Sequence, residues 1–271
     1  MTSVLELRRH RELFANLTLR ELRGKYKRSA LGWGWSMINP LAQMAIYSLV
    51  FGFFLKVPPP TGHPSGMKVF AFFLLCGLLP WTFLANGITG GMGSLIANAN
   101  LLKKVWFPRQ LLVASTVASF GVSFLIEMAV LTVALLIAGN MVLPWIAPVL
   151  VVALIQAAFV LGLALALSVW TVYFRDLEYL VGIGLQIWFY ATPIVYPISY
   201  VEKAFADRPA LMTLYELNPL TRFVEAYRDL YYSLRWPPLG TMAYLVGCAA
   251  VSLVIGWIAF GRLQGRLAEE L

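Results

Sequence analysis

An all-α integral membrane protein with six transmembrane helices is the fold class the sequence predicts, on three observations. Of its 271 residues, 60% are hydrophobic and 13% charged, against about 45–50% and about 25% in a soluble domain. Six stretches are long enough to cross a membrane while carrying almost no charge; an apolar layer of about 30 Å takes roughly 20 helical residues. The lysines and arginines outside those stretches sort unequally between the two sides. Barrel strands would be about half as long and would alternate in polarity. Two cysteines exclude a disulfide framework, and two histidines exclude a His-rich metal site.

The chain divides into residues 1–35, a basic interface segment, and residues 36–271, the transmembrane domain. Residues 3–23 read as an amphipathic helix: Ser3 and Glu6 have capping-box spacing, and Leu7, Leu13, Phe14 and Leu17 share one arc. Arg8, Arg9, Glu12, Arg20 and Arg23 take much of the other arc, so the helix is expected to lie in the membrane interface. No cleavable signal peptide is visible, because no apolar core follows this basic start. The run Arg23-Gly24-Lys25-Tyr26-Lys27-Arg28 comes next. It fits a topology signal held at anionic lipid and equally a site that attracts a phosphate-bearing substrate.

The first stretch, residues 36–55, places Tyr47, Phe51 and Phe54 on one helical face. Residues 69–87 form the second. Between the second and third, SLIANANLLKKVWFPRQ (94–110) reads as a short helix over about 95–108, capped by Asn98 or Asn100 and stopped by Pro108. It is too polar to cross. It is either an ordinary connecting turn or a short rigid element that meets a partner.

The third stretch, residues 111–138, holds one acid, Glu127, with Gln43, Gln156 and Gln186 as candidate partners. The fourth, residues 143–174, has 32 residues and is expected to tilt or project. The fifth, residues 179–201, aligns Trp188, Thr192 and Tyr196. Aromatic rings on these faces would line a path through the membrane, or would pack as an interfacial belt.

An outer helical segment follows, about residues 198–236. Ser199 and Glu202 suggest a capped short helix, and Asn218-Pro219 a second with proline at its first position. Leu220, Phe223, Val224, Tyr227, Leu230, Tyr231 and Leu234 then recur at helical spacing, with Arg222, Glu225 and Asp229 opposite. Such a pair either dips back into the membrane or lies flat on lipid. Residues 236–261 form the sixth stretch.

Six crossings put both termini on one side. That side collects 14 Lys and Arg and the other seven, so both termini are expected to be cytoplasmic. The net charge of +8 then faces an anionic inner leaflet and does not point to nucleic acid. Cys76 and Cys248 fall inside stretches and read as packed thiols; His10 and His63 lie on opposite sides and cannot share a metal. No P-loop, H-E-x-x-H, G-x-S-x-G or C-x-x-C occurs.

Four blocks, in order, resemble one family. RGKYKRSALGWGWSMINPL (23–41), NANLLKKVWFPRQLL (98–112), YFRDLEYLVGIGLQIWFYATPIVYP (173–197) and NPLTRFVEAYRDLYY (218–232) resemble the membrane subunit of ABC-2-type exporters of lipid-linked polysaccharides. That family includes exporters of O-antigen, wall teichoic acid, capsule and galactan. The resemblance implies the ABC-2 exporter fold, with a cytoplasmic coupling helix and short outer re-entrant helices. It implies a pore made by two copies of the chain, two cytoplasmic ABC ATPase subunits that hold ATP and Mg, and no cofactor in this chain. The implied substrate is a polyprenyl-diphosphate-linked glycan moving outward across a bacterial plasma membrane.

On that resemblance Arg23, Lys25, Lys27 and Arg28 would receive the lipid diphosphate. Asn98, Asn100, Leu101, Leu102, Lys103, Lys104, Trp106 and Phe107 would couple to the ATPase. Tyr47, Phe51, Phe54, Trp188, Thr192 and Tyr196 would line the channel. Alternatives are an ABC-2 exporter of a drug or small lipid, an integral-membrane glycosyl- or acyltransferase, and an ion-coupled transporter built on Glu127. The transferase would need a catalytic or metal constellation at one membrane face. The ion-coupled transporter would need a repeated pair of interrupted spans.

Overall fold

The computed structural model describes residues 4–25, 32–54, 60–104 and 107–264. Its regular structure there is helical. Helix α1 (Val4–Lys25) precedes α2 (Trp35–Tyr47), whose end widens into π-type turns over Ser48–Phe54. Then come α3 (Phe70–Ala97), α4 (Ala99–Lys104), α5 (Gln110–Ile137) and α6 (Ile146–Tyr173). The rest are α7 (Leu177–Tyr190), α8 (Ile198–Ala204), α9 (Pro209–Glu216), α10 (Pro219–Tyr227) with π-type turns over Arg228–Ser233, and α11 (Leu239–Leu263).

Five helices among the described residues are long and apolar enough to cross a membrane: Met37–Phe54, Phe70–Ala97, Gln110–Ile137, Leu143–Tyr173 and Leu239–Leu263. The fifth apolar stretch differs from its expectation. It is not one helix. α7 stops at Tyr190, residues 191–197 turn, and α8 starts beyond Pro197. Pro193 and Pro197 cause the break, since each lacks the amide a continuing helix needs and disfavours helical backbone in the residue before it.

α3 is the core of the bundle. It is buried along almost its whole length, whereas α2 buries almost nothing within the chain. Lipid tails are as apolar as the helices, so close fit holds them together, and small residues permit it. A side-chain carbon at Gly87 would lie 2.6 Å from Val160 of α6, and one at Gly91 would lie 2.7 Å from Ala164. The closest approach joins α6 to α11: carbon added to Gly256 would stand 2.1 Å from the Gly162 carbonyl oxygen.

Two boundaries move. The second stretch runs on to Ala97, ten residues past its predicted end at Gly87, which shortens the following helix to Ala99–Lys104. Leu95 is fully buried, so packing carries α3 beyond the apolar layer. The Ser199 capping box is absent, because Pro197 occupies the cap position and no side chain bonds there. The Ser3 half of the first capping box lies outside the described residues.

Candidate functional site

Two ends of the bundle hold the candidate residues. At the basic end, α1 packs against α5. Asn98 closes α3 and opens α4, its backbone carbonyl accepting the amides of Leu101 and Leu102. Its side chain does not cap α4, contrary to expectation. The amide nitrogen turns back to the Ser94 carbonyl at 2.9 Å, and Oδ1 accepts Arg20 Nη2 of α1 at 2.6 Å. Arg20 thereby ties the interface helix to the connecting helix. Leu101, Leu102 and Phe107 pack partly into the core, while Asn100, Lys103 and Lys104 are exposed. Trp106 lies outside the described residues. Arg109 and Tyr173 donate to the carbonyls of Gln264 and Leu263, drawing the end of α11 to the same place.

Of the basic run, Arg23 is exposed, and Lys27 and Arg28 lie outside the described residues. Lys25 is folded back onto α5. Its ammonium sits 3.6 Å over the Phe120 ring and donates to Ser123 Oγ at 3.3 Å. Burial pushes it down to about 8, against the Glu127 and Glu21 carboxylates, which hold it up. Glu127 thus has a cation for a neighbour, not one of the three glutamines proposed for it. Gln156 is committed elsewhere, donating to the Pro80 carbonyl and accepting the Tyr227 hydroxyl, each at 2.8 Å. Gln186 is exposed, and Gln43 Oε1 is buried without a bond.

At the opposite end, most of residues 220–232 are buried in the protein, with Arg222 and Glu225 half-buried, so this segment does not lie flat on lipid. The Asn218 cap and Pro219 start α10 as predicted. Arg228, one of the seven cations counted on the less basic side, is 3% exposed. Its guanidinium donates to the carbonyls of Pro193 at 2.6 Å and Ile194 at 2.7 Å, and to Glu225 Oε1 at 3.0 Å, while lying 3.6 Å over the Phe73 ring. One cation thus satisfies the carbonyls that the proline break frees. Asp229 is also buried and pairs with Arg235 at 2.7 Å. Tyr231 reaches Thr132 at 2.9 Å, and Asn140 donates to the Tyr231 carbonyl at 2.8 Å. The signal for Arg228 was its register. It falls four residues after Val224 and three before Tyr231, inside the apolar stripe.

The channel-lining candidates separate. Tyr47 and Phe51 remain neighbours, with ring centres 6.1 Å apart, and Phe51 stacks on Phe70 of α3 at 4.6 Å. The π-type turns carry Phe54 off that face, exposed beside Phe53. Trp188 and Thr192 meet through Asn218. The indole nitrogen donates to Asn218 Oδ1 at 2.8 Å, and the Asn218 amide donates to Thr192 Oγ1 at 2.9 Å. Thr192 is fully buried, and the half-buried Tyr196 donates to the Tyr190 carbonyl at 2.7 Å.

Asn218→Ala removes that hub. It strands the Trp188 N–H and uncaps α10, and the expected loss is about 2–4 kcal/mol from an unpaired donor plus a lost cap. Fluorescence-detected thermal unfolding of the detergent-purified chain measures it; a midpoint unchanged within error would refute the hub.

Among the described residues, no group of three or more His, Cys, Asp and Glu could hold a metal. The ABC-2 type transporter family matches residues 12–232. The chain is 33% identical over 266 residues to the O-antigen export system permease protein RfbA of Myxococcus xanthus, covering 98% of this chain and 96% of that protein. Two Klebsiella pneumoniae proteins of the same name are 32% and 30% identical, each covering 96% of this chain and 95% of its relative. With apolar helices of crossing length and a family match over most of its residues, this multi-pass membrane protein belongs to the ABC-2 type transporter family.

Proposed function

We propose that the chain is the membrane subunit of an ATP-driven exporter of a polyprenyl-diphosphate-linked polysaccharide, an O-antigen or a related glycan such as wall teichoic acid. The observation that carries this reading is the similarity, along almost the whole chain, to three O-antigen export permeases. Membership in an ABC transporter family brings an ATPase partner with it. In this reading two ATPase copies supply ATP and Mg chemistry, and two copies of this chain enclose the path through a bacterial plasma membrane. Both termini face the cytoplasm, in accord with the 14-to-7 split of Lys and Arg. The uncovered faces of α2 and α7 support a second copy, since Met37, Leu41, Ile183, Ile187 and Tyr190 are exposed in one protomer.

The proposed path begins at the basic end. The substrate diphosphate arrives beside Arg23 and Lys25, where the cation field of the interface favours it. Lys25 is reached by displacing contacts to α5, so loading the substrate and loosening α1 are one event. The ATPase meets α4, whose exposed Lys103 and Lys104 steer it, and Arg20–Asn98 passes its movement to α1. The glycan leaves between α2 and α7 toward the opposite end.

The test is co-purification of the chain with its ABC ATPase subunit, followed by ATP hydrolysis with and without lipid-linked glycan. Stimulation by a lipid-linked glycan supports the reading; stimulation only by drugs or free phospholipid would overturn it. Lys103→Glu combined with Lys104→Glu, both on exposed side chains, is expected to weaken ATPase binding at least tenfold without lowering the yield of folded chain. Leu102→Asp should uncouple hydrolysis from export. Normal binding, hydrolysis and export in both variants would remove α4 as the coupling element.

A further inference from the structure

Two hollows lie along α11, one beside α9 and α10 and one at its seam with α6. The first, about 440 Å³, sits between α9, the start of α10 and the first turns of α11, lined by Thr213, Glu216, Leu217, Arg222, Thr241 and Tyr244 among others. The second, about 430 Å³, runs down the seam of α6 and α11, past Phe159, Leu163, Gly247, Cys248, Val251 and Ile255. Tyr244 borders both. Thr241, Tyr244, Cys248, Val251 and Ile255 follow one another at three- and four-residue spacing, so one face of α11 floors the two hollows.

The upper hollow is polar in a particular way. Arg222 and Glu216 pair at 2.9 Å through Nη2 and Oε2, and Arg222 Nε donates to the Glu216 carbonyl. Among the described residues, Arg222 Nη1 and Glu216 Oε1 have no further partner, and neither has the Thr241 hydroxyl. Both charged side chains are more than a third exposed. The hollow therefore offers one free cationic donor beside one free anionic acceptor. The lower hollow is apolar. It exists because Gly247 has no side chain, and nothing stands within 4 Å of where one would begin. From Tyr244 to Ile255 it extends about 16 Å at 1.5 Å per residue, or half of an apolar layer about 30 Å thick. Trp236 and Leu239, exposed at the top of α11, set the water boundary at the level of the polar hollow.

We infer that this composite hollow binds one phospholipid with a zwitterionic, primary-amine headgroup, a phosphatidylethanolamine, in the leaflet at the α9–α10 end. One acyl chain lies along the seam from Tyr244 to Ile255. The phosphate takes Arg222 Nη1 and the Thr241 hydroxyl, and the ammonium donates to Glu216 Oε1. A trimethylated choline head has no N–H to give that carboxylate, and an anionic glycerol head has no cation for it. The lipid bridges α9 and α10 to α11. The site is independent of which glycan is exported.

The full chain, purified in detergent and delipidated, is titrated with phosphatidylethanolamine, phosphatidylcholine or phosphatidylglycerol, and bound lipid is counted by native mass spectrometry. One phosphatidylethanolamine per protomer is expected, with at least tenfold preference over the other two. Arg222→Gln and Glu216→Gln should each weaken it at least fivefold. Gly247→Leu, whose first side-chain carbon meets nothing within 4 Å and whose remainder enters the groove, should abolish it, while Gly182→Leu on α7, with nothing within 4 Å of the same carbon, should not. Cys248 gives a second readout. It lines the groove, whereas Cys76 is fully buried, so bound lipid should slow labelling by N-ethylmaleimide at least fivefold. Equal binding of the three lipids, a preference for phosphatidylglycerol, or full retention by Gly247→Leu would each overturn the assignment.

Discussion

Arg228→Met is expected to lower the stability of the purified chain by about 3–5 kcal/mol, the cost of removing one member of a buried ion pair. The stem is nearly conserved in length, so little volume is lost. What disappears is the donor set that engages Pro193, Ile194 and Glu225 at once. Two carbonyls at the break and a mostly buried carboxylate are then left without their cation, and each unpaired group carries a desolvation penalty of about 1–3 kcal/mol. Arg228→Lys keeps the charge but cannot fan out to three acceptors on two elements, and should recover only part of the loss. Glu225→Gln should be mild, because Arg228 retains both carbonyls. Thermal midpoints of the three variants in one detergent decide the matter. A midpoint for Arg228→Met within about 2 °C of the parent would show that the guanidinium does not hold the break.

Gly256→Val is expected to cost about 3 kcal/mol or more, at or beyond the top of the range for overpacked sites. The obstacle is backbone, not a side chain that can swing aside. The added carbon would meet the carbonyl oxygen, carbon and Cα of Gly162 at 2.1, 2.8 and 3.0 Å. Only separation of α6 from α11 relieves it, and in lipid no hydrophobic drive compensates for the close fit that is lost. Ser252 also donates to the Phe159 carbonyl at 2.8 Å across the same seam, so separation breaks this bond too. Gly247→Ala on the same helix is the internal control, with open space where its methyl would go. The yield of monodisperse protein after extraction should collapse for Gly256→Val and stay level for Gly247→Ala. Equal yields and midpoints would refute the contact.

Hydropathy over a window of helical length located five of the crossing helices, because that signal sums over many residues and tolerates local irregularity. The same summing hid the break after Tyr190. Residues 191–197 are as apolar as their neighbours, and only Pro193 and Pro197 mark the turn. The cap of α10 was legible, since Asn-Pro acts through bonds within three residues. Arg228 showed only its place in the apolar stripe; its role needed its acceptors, some 35 residues away, to be placed. Lys25 failed for a similar reason: its place over Phe120 depends on how α1 meets α5. The expected face of Tyr47, Phe51 and Phe54 assumed 3.6 residues per turn, and the widened turns after Tyr47 removed the premise.

The broken fifth stretch bears on how the chain is made. α7 has 14 residues, about 21 Å of helix, against an apolar layer of about 30 Å. As it leaves the ribosome it is too short to be held in lipid alone, and its freed carbonyls have no partner. The guanidinium that receives them belongs to a residue synthesised later, at the far side of α8 and α9. Membrane integration of this protein therefore cannot proceed strictly segment by segment. The fifth segment is expected to be retained by the insertion machinery until residues 218–233 arrive. A nascent chain truncated before Arg228 should stay in contact with that machinery, and one extended beyond Arg235 should be released.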